Sequence, residues 1–150
     1  MTRLLAAGRY GFDSLSVGDR VETGSAEITA EKINAFADLT GERFEIHMDD
    51  EPAKRHGFPG RVAHGLLVLS LVDGLKNQCG AQFDAIASLG WDWSFSGPIF
   101  IGDQIKVSIS ILAMRPTRKA DRGILTLKFD VTNQRGETVQ EGTNKLMVYR

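Results

Sequence analysis

The chain has 150 residues, of which 42% are hydrophobic and 25% are charged, and its formal net charge is −1. These proportions are typical of an ordinary globular domain, and a chain of this length buries roughly 70% of its unfolded surface. The small net charge provides no overall field that would attract nucleic acid or an anionic membrane. The single cysteine, Cys79, excludes an internal disulfide and a zinc site built on cysteines.

The N-terminal segment, residues 1–15, is predicted to be a partly ordered leader within a single domain that spans residues 1–150. Its apolar run from Leu4 to Ala7 is too short for the hydrophobic region of a signal peptide. No apolar stretch approaches the roughly 20 residues that a membrane-spanning helix needs. We therefore expect a cytoplasmic protein that does not interact with membranes.

The first third of the chain predicts a strand, a helix and a turn. Weak alternation of apolar residues indicates a strand from Val21 to Ile28. Thr29 is a typical N-cap residue, and apolar residues with helical spacing follow it as far as Gly41, which ends the helix. The segment from 49 to 56 predicts a short helix or a turn.

Apolar residues occupy nearly every face of the segment from Val62 to Leu75. A helix that is apolar on every face is typically surrounded by other structure. The segment is too long to be a buried strand, so a buried helix is predicted. Four further strands are predicted over 86–95, 104–113, 123–133 and 139–149, with a hairpin loop over 133–138. Because most strands are adjacent in sequence, they are expected to pair antiparallel. The pattern predicts an α+β fold, with a curved antiparallel sheet of about five strands around one long buried helix.

The stretches from Phe36 to Gly74 and from Leu89 to Val107 resemble the family of MaoC-like dehydratases and (R)-specific enoyl-CoA hydratases. In that family a helix leads into Gly-Asp-x-Asn-Pro-x-His-x-Asp, and a later Ala-His-Gly opens the central helix. The span FADLTGERFEIHMDDEPAKRHGFPGRVAHGLLVLSLVDG follows this pattern without a gap, and LGWDWSFSGPIFIGDQIKV is similar to the family's aromatic strand. The resemblance implies a hotdog domain that forms a homodimer or a dimer-based hexamer. The positions in register are Gly41, His47, Asp49, Ala53, Phe58, Val62, Ala63, His64 and Gly65.

The chain departs from the family pattern at three points. Glu42 stands where the family has its catalytic aspartate, and Phe44-Glu45 replaces Asn-Pro. Asp73 stands where the hydratases often have a serine. Glutamate keeps the carboxylate but moves it by roughly one methylene, and a misplacement of about 1 Å can cost about 10²-fold in rate.

The resemblance implies reversible addition of water to the double bond of an enoyl thioester. Glu42 and His47 would hold the water, and the Gly65 N–H at the first turn of the central helix would donate to the enolate oxygen. Candidate substrate-binding residues are Phe44, His64, Asp73, Trp93, Arg118 and Lys119. No metal and no separate cofactor is expected, because coenzyme A enters as part of an acyl-CoA substrate.

Each of these residues also has a structural interpretation. Without the flanking match, an acid and a histidine in a loop are more often surface residues. His64 is expected to brace the loop, and Trp93 to serve packing more than substrate selection. Asp73 has two interpretations: it meets Glu42 and acts as an acid, or it is neutralised by Lys76 or an arginine.

The basic stretch that contains Arg118 and Lys119 is either a solvated loop or a contact for the phosphates of coenzyme A. It is too short, and too far from aromatic residues in the sequence, to indicate nucleic-acid binding. Two further functions remain open from the sequence. The first is thioester hydrolysis by an acid on the central helix, for which Asp73 is the candidate. The second is acyl-thioester binding without catalysis, to which the replacement by Glu42 and Phe44-Glu45 points.

Overall fold

The structure is a computed structural model, and it describes residues 2–150. Its strands are β1 (Gly8–Tyr10), β2 (Arg20–Glu27), β3 (Ala81–Phe83), β4 (Ala85–Phe95), β5 (Gln104–Pro116), β6 (Arg122–Thr132) and β7 (Thr138–Tyr149). Five of them form one sheet in the order β2-β5-β6-β7-β4, and every neighbouring pair in it is antiparallel. This confirms the predicted α+β architecture and the number of strands in its main sheet.

The helices are α1 (Ala30–Thr40), α2 (Glu45–Met48), α3 (Asp50–Arg55) and α4 (Gly65–Asn77), and a short 3-10 turn spans Phe12–Ser14. The predicted ends of α1 are confirmed. The Thr29 hydroxyl accepts a hydrogen bond from the Lys32 N–H, and Gly41 ends the helix with a φ of 78°. Within residues 2–150, none of the helices is both long enough and apolar enough to cross a bilayer.

The core lies between α4 and one face of the five-stranded sheet. Burial alternates along β5, as expected when one face of a strand packs against a helix and the other does not. Fully burying an aliphatic side chain of this kind stabilises the fold by about 1.5–3 kcal/mol. The α4 residues in the core are Leu67, Val68, Val72 and Leu75, and among those facing them from β5 and β6 are Ile105, Val107, Ile109, Leu125, Leu127 and Phe129.

The helix α4 begins at the glycine of Ala-His-Gly, three residues after the start of the apolar run, and leaves one side exposed. Val62 is extended and bridges Phe100, and the Ala63 N–H donates to Ile99, so the helix starts only at Gly65. Leu66 is 59% exposed on the side that faces away from the sheet. The helix α4 thus carries apolar residues on nearly every face, but in the single chain the side that faces away from the sheet is exposed.

The N-terminal leader packs onto the rest of the chain through a second, small sheet. β1 pairs in parallel with β3, and Leu5 and Leu15 are buried. The Arg3 guanidinium donates to the carboxylate of the buried Asp19, and this bond lowers the pKa of Asp19 below its usual value. Of the predicted leader, residue 1 lies outside the described residues. The sequence did not predict the β1–β3 pairing.

Candidate active site

His47 is held in one orientation by a buried backbone carbonyl. It lies on the single turn α2 and is 8% exposed. Its Nδ1 is 2.7 Å from the Val62 carbonyl oxygen. A carbonyl can only accept, so Nδ1 carries a proton, and in the neutral form of the ring the free lone pair is on Nε2. The extended stretch that precedes α4 thus fixes the tautomer of His47.

Glu42 directs one carboxylate oxygen towards that free nitrogen. Its Oε1 accepts a hydrogen bond of 2.7 Å from the Phe44 N–H, which restrains the side chain. Its Oε2 lies 3.8 Å from His47 Nε2, and the side chain is 47% exposed. This separation is too long for a direct hydrogen bond but suits two groups that share one water molecule. The acid and the histidine therefore converge as the sequence predicted.

His64 contacts both His47 and Glu42. Its ring stacks on the His47 ring, with centroids 4.1 Å apart, and its Nε2 donates to the Glu42 carbonyl oxygen at 2.9 Å. Burial lowers the pKa of His64, and the nearby His47 acts in the same direction. The neutral ring leaves Nδ1 buried and, among residues 2–150, without a hydrogen-bond partner. These contacts match the predicted bracing role.

Glu42, His47 and His64 each offer a potential metal-binding atom, and these atoms lie within 4.8 Å of one another. The two imidazole planes are stacked with only 29° between them. A metal ion binds in the plane of an imidazole at about 2 Å from the nitrogen, and rings stacked in this way do not direct their lone pairs to one such point. The arrangement fits a shared water better than a coordinated metal.

Gly65 presents the first turn of α4 to the same region. Within residues 2–150, its N–H has no hydrogen-bond acceptor, as expected for the first residue of a helix. A methyl group added at Gly65 would lie 2.6 Å from the ring of Phe95. The glycine is therefore required for Phe95 to pack over the start of the helix.

A cleft of about 330 Å³ connects the histidine with the start of α4. Most of its wall is apolar, and its polar contributions come from His47, Gln140 and exposed backbone. Such a pocket suits an acyl chain with a polar group at one end. The lining residues are His47, Phe58, Val62, Ala63, Gly65, Phe95, Gly97, Pro98, Ile99 and Gln140.

Gln140 is a polar cleft residue that the sequence reasoning missed. It lies on β7, is 1% exposed, and donates from Nε2 to the Gly65 carbonyl oxygen at 3.1 Å. Its Oε1 accepts from the indole N–H of Trp93 at 2.8 Å. Trp93 packs against Phe129 and does not line the cleft. It therefore reaches the site through Gln140, and not as a wall residue.

Comparison with known proteins identifies the family. A family model for the MaoC-like domain matches residues 14–133. The chain belongs to the MaoC-like dehydratase family. The (R)-specific enoyl-CoA hydratase of Aeromonas caviae is 31% identical over 131 residues, covering 86% of this chain and 92% of that protein. The mitochondrial 3-hydroxyacyl-acyl-carrier-protein dehydratase of Arabidopsis thaliana is 31% identical over 104 residues, covering 69% of this chain but only 60% of that protein.

Solved structures agree with this MaoC-like assignment. A MaoC-like dehydratase from Rhodospirillum rubrum is 32% identical and superposes with a TM-score of 0.87 over 94% of this chain and 97% of that chain. A Mycobacterium tuberculosis protein with a double hotdog fold superposes with a TM-score of 0.83 over 97% of this chain and 46% of that chain. Its identity is 20%, so this likeness concerns the fold alone. The predicted hotdog fold is confirmed.

Two departures from the MaoC-like pattern lie at different places in the structure. Phe44 is 52% exposed, and its ring approaches the edges of His47 and His56 at the rim of the site. Asp73 lies eight residues after Gly65 on α4, about 12 Å along the helix axis. Its carboxylate pairs with Lys76 at 3.1 Å, so it does not act on Glu42 as one prediction allowed.

Asp73 instead lines a second depression, on the exposed side of α4. We call it the α4 groove, and it is lined by Phe36, Leu66, Leu69, Ser70, Asp73 and Trp91.

Arg118 and Lys119 are exposed in the loop between β5 and β6, away from the cleft of their own chain. That loop adjoins the pair Gly123–Val148, whereas the cleft adjoins Gln140 at the other end of β7. The two ends are about 26 Å apart at the usual rise per strand residue. The structure therefore does not bring these two residues to the predicted substrate site of the same chain.

Proposed function

We propose that this protein catalyses the reversible hydration of a 2-enoyl thioester to a 3-hydroxyacyl thioester, with coenzyme A as the thiol. The observation that carries the proposal is the convergence of Glu42 Oε2 and His47 Nε2, 3.8 Å apart, beside the cleft that reaches Gly65. The names of the relatives support the reaction class, since they include an enoyl-CoA hydratase and a 3-hydroxyacyl dehydratase.

The pair acts on water through two acceptors. His47 Nε2 has a free lone pair because Nδ1 donates to Val62, and the Glu42 carboxylate is an acceptor by charge. A water molecule between them donates one hydrogen to each, which leaves an oxygen lone pair for the β-carbon of the enoyl group. The carboxylate takes one proton as the new C–O bond forms.

The electrons of the double bond move towards the thioester carbonyl and form an enolate. The Gly65 N–H lies at the positive end of α4 and donates to that oxygen. The enolate then collapses, and the α-carbon receives the proton that the carboxylate had taken from water. One water is added in total, the pair returns to its starting state, and no further cofactor is needed.

Two substitutions in the pair test the reaction. Glu42→Gln removes the charge of the acceptor, and His47→Ala removes the second acceptor. Each is expected to reduce hydration of crotonyl-CoA by at least about 10²-fold, the scale of a lost acid/base group. The loss of absorbance at the enoyl band measures the rate. His56→Ala is the matched control, because His56 is an exposed histidine on the same segment.

Unchanged rates in folded Glu42→Gln and His47→Ala proteins would rule out the assigned pair. Release of free thiol from acyl-CoA without hydration would instead support the hydrolase alternative. Tight acyl-CoA binding with neither reaction would support a binding protein. Asp73, the acid on α4 that thioester hydrolysis would use, pairs with Lys76 away from the cleft and so gives no support to this alternative.

The functional unit that we propose is a homodimer. β4 is an outer strand of the sheet and has a free edge, and Leu89 on it is 48% exposed. The apolar α4 groove opens beside this strand through Trp91. Free edges and exposed apolar patches are resolved when two copies pair. A Leu66→Glu protein is then expected to elute as a monomer on size exclusion, whereas an unchanged dimer would contradict this interface.

Such pairing also gives the basic loop a role. Two β4 strands related by a twofold axis run antiparallel, so the start of one lies beside the end of the other. The loop with Arg118 and Lys119 is at the β4 start, and the cleft is at the β4 end. The loop of the second copy would thus lie at the end of the sheet that carries the first copy's cleft. There it can meet the phosphates of coenzyme A.

A double substitution, Arg118→Ala with Lys119→Ala, tests this contact. It is expected to raise the KM for crotonyl-CoA by about 10-fold with kcat unchanged, because it removes binding without touching the chemistry. The pantetheine thioester of crotonic acid lacks those phosphates and is the matched substrate, for which no change is expected. Equal effects on both substrates would contradict the phosphate contact.

A further inference from the structure

We propose that Gln140 is a second donor to the thioester oxygen, acting beside the Gly65 N–H, and that Trp93 is the positioning residue that orients it. This inference rests on the proposed hydration reaction and names a catalytic group that the family pattern did not contribute. Three observations on the buried Gln140 amide support it. The amide accepts a hydrogen bond from Trp93, donates one to the Gly65 carbonyl, and forms part of the cleft wall.

The orientation of the Gln140 amide is fixed by its partners. An indole N–H can only donate, so the amide atom facing Trp93 must be the oxygen. The NH₂ group therefore points the other way, to the Gly65 carbonyl, which can only accept. A flipped amide would set donor against donor and acceptor against acceptor, and would lose both bonds. Trp93 thus acts on the site although it does not line the cleft.

The NH₂ group has two hydrogens, and the Gly65 carbonyl uses one of them. The side chain is 1% exposed and yet forms part of the cleft wall, so its remaining hydrogen has no bulk water to bind. The Gly65 N–H is the other free donor at this wall. Two donors on one wall, both near the first turn of α4, can share a single carbonyl oxygen.

The chemical need is an oxygen that gains negative charge as water adds. Donors that are already oriented stabilise this charge more in the transition state than in the bound substrate. In an apolar cleft, each such donor is worth more than in water. Gln140 is held by two hydrogen bonds and has no freedom to reorient, so it meets this requirement.

Two substitutions of Gln140 separate a donor from a packing residue. Gln140→Leu removes the donor and is expected to lower kcat for crotonyl-CoA on the order of 10²-fold, as for other lost oxyanion donors. Gln140→Glu keeps the shape and the bond from Trp93. When ionised, the new carboxylate repels the negative enolate oxygen, but when protonated it can donate a hydrogen bond to it. The rate of the Gln140→Glu protein relative to wild type should therefore rise as the pH is lowered.

The role of Trp93 is tested by Trp93→Phe, which keeps an aromatic ring but releases the amide to flip. We expect a loss of about 10-fold in kcat, smaller than for Gln140→Leu because the donor remains present. Trp91→Phe is the matched control. Trp91 packs on the same Phe129 ring, but in residues 2–150 its indole makes no bond to Gln140. Its rate is expected to stay at the wild-type value when size exclusion shows that the variant has the oligomeric state of the wild type.

Infrared spectra of bound crotonyl-CoA labelled with ¹³C at the carbonyl give a readout that packing alone would not move. The carbonyl band should lie at lower frequency in wild type than in Gln140→Leu. A folded Gln140→Leu protein with wild-type kcat and an unshifted band would overturn this inference alone. A wild-type protein without hydration activity would overturn the proposed function, and this inference with it.

Discussion

The cleft at the start of α4 and the α4 groove on its exposed side are similar in size, about 330 and 340 Å³, but differ in how their polar groups are held. In the cleft, His47 and Gln140 are buried, and each bonds to a backbone carbonyl. In the groove, Asp73 is 48% exposed and pairs with another side chain, that of Lys76.

A carboxylate in a depression of suitable size is therefore not enough to define a reactive site. A backbone carbonyl is part of the fold, so a side chain bound to it cannot adjust without disturbing a strand or a helix. In the groove, Asp73 pairs with another side chain of the same helix and remains 48% exposed, so no backbone group fixes its orientation. Only the cleft therefore has the fixed orientation that catalysis needs.

The largest effect that would sharpen this contrast is expected from Gly65→Ala. The new methyl group would lie 2.6 Å from the Phe95 ring and beside the N–H that we propose as the donor to the thioester oxygen. We expect kcat for crotonyl-CoA to fall by about 10²-fold, because the carbonyl can no longer approach. Initial rates and the thermal midpoint are measured together, so that a loss of folding is recognised.

Gly74→Ala is the control for this substitution on the groove half of the same helix. There the nearest atom to an added methyl group is the Gln78 amide nitrogen at 3.8 Å, an ordinary contact. Replacing glycine inside a helix is expected to stabilise the protein by up to about 1 kcal/mol, with kcat unchanged. Wild-type activity in Gly65→Ala, or a similar loss in Gly74→Ala, would remove the distinction between the two ends of α4.

A smaller effect is expected in the pH dependence of stability, through His64, which contacts both Glu42 and His47. Burial lowers the pKa of His64 in the folded protein, while the unfolded chain titrates near 6.5. Below about pH 6.5 the unfolded state therefore binds more protons, and stability falls as the pH is lowered until the folded pKa is reached. One such group contributes a slope of at most about 1.4 kcal/mol per pH unit.

Urea midpoints at pH 7.5 and 5.5 measure this contribution. His64→Gln can still donate to the Glu42 carbonyl but cannot take up a proton, so its midpoint should change less between the two pH values than that of wild type. An equal pH dependence in wild type and His64→Gln would show that the buried ring does not titrate in this way.

The smallest effect is expected from Asp73→Asn in the α4 groove. It removes the charge that pairs with Lys76, so the buried Lys76 side chain loses this partner and some stability is lost, but neither Glu42 nor His47 changes. Hydration of crotonyl-CoA should be unchanged within about 2-fold, far from the 10²-fold scale of a lost acid/base group. Rate assays decide the point, and a loss on the scale of Glu42→Gln would mean that the groove takes part in the chemistry.

Much of the fold follows from local signals in the sequence. Thr29 and Gly41 bound α1 because a side-chain cap and a left-handed glycine are determined by neighbouring residues. The main strands were found because alternation is a property of each strand alone. The pairing of β1 with β3 was missed because each strand has three residues and the partner is about 70 positions away in the chain.

The site was predictable only where the chain brings residues together over short distances. Glu42 and His47 are five positions apart, and the family pattern pointed to both. Gln140 carries no motif, and its approach to Gly65 depends on how β7 lies against α4, which no local pattern states. The start of α4 at Gly65, and not at Val62, was likewise set by a distant bridge to Phe100.

The strand β4 carries two features that link chemistry to assembly. It forms the outer border of the sheet, and it also holds the indole that orients the Gln140 amide. An interaction that stabilises β4 therefore also stabilises the orientation of the Gln140 amide in the cleft. If two copies meet there, the turnover of each chain should depend on protein concentration, and dilution into separate subunits should slow the reaction even while every chain remains folded.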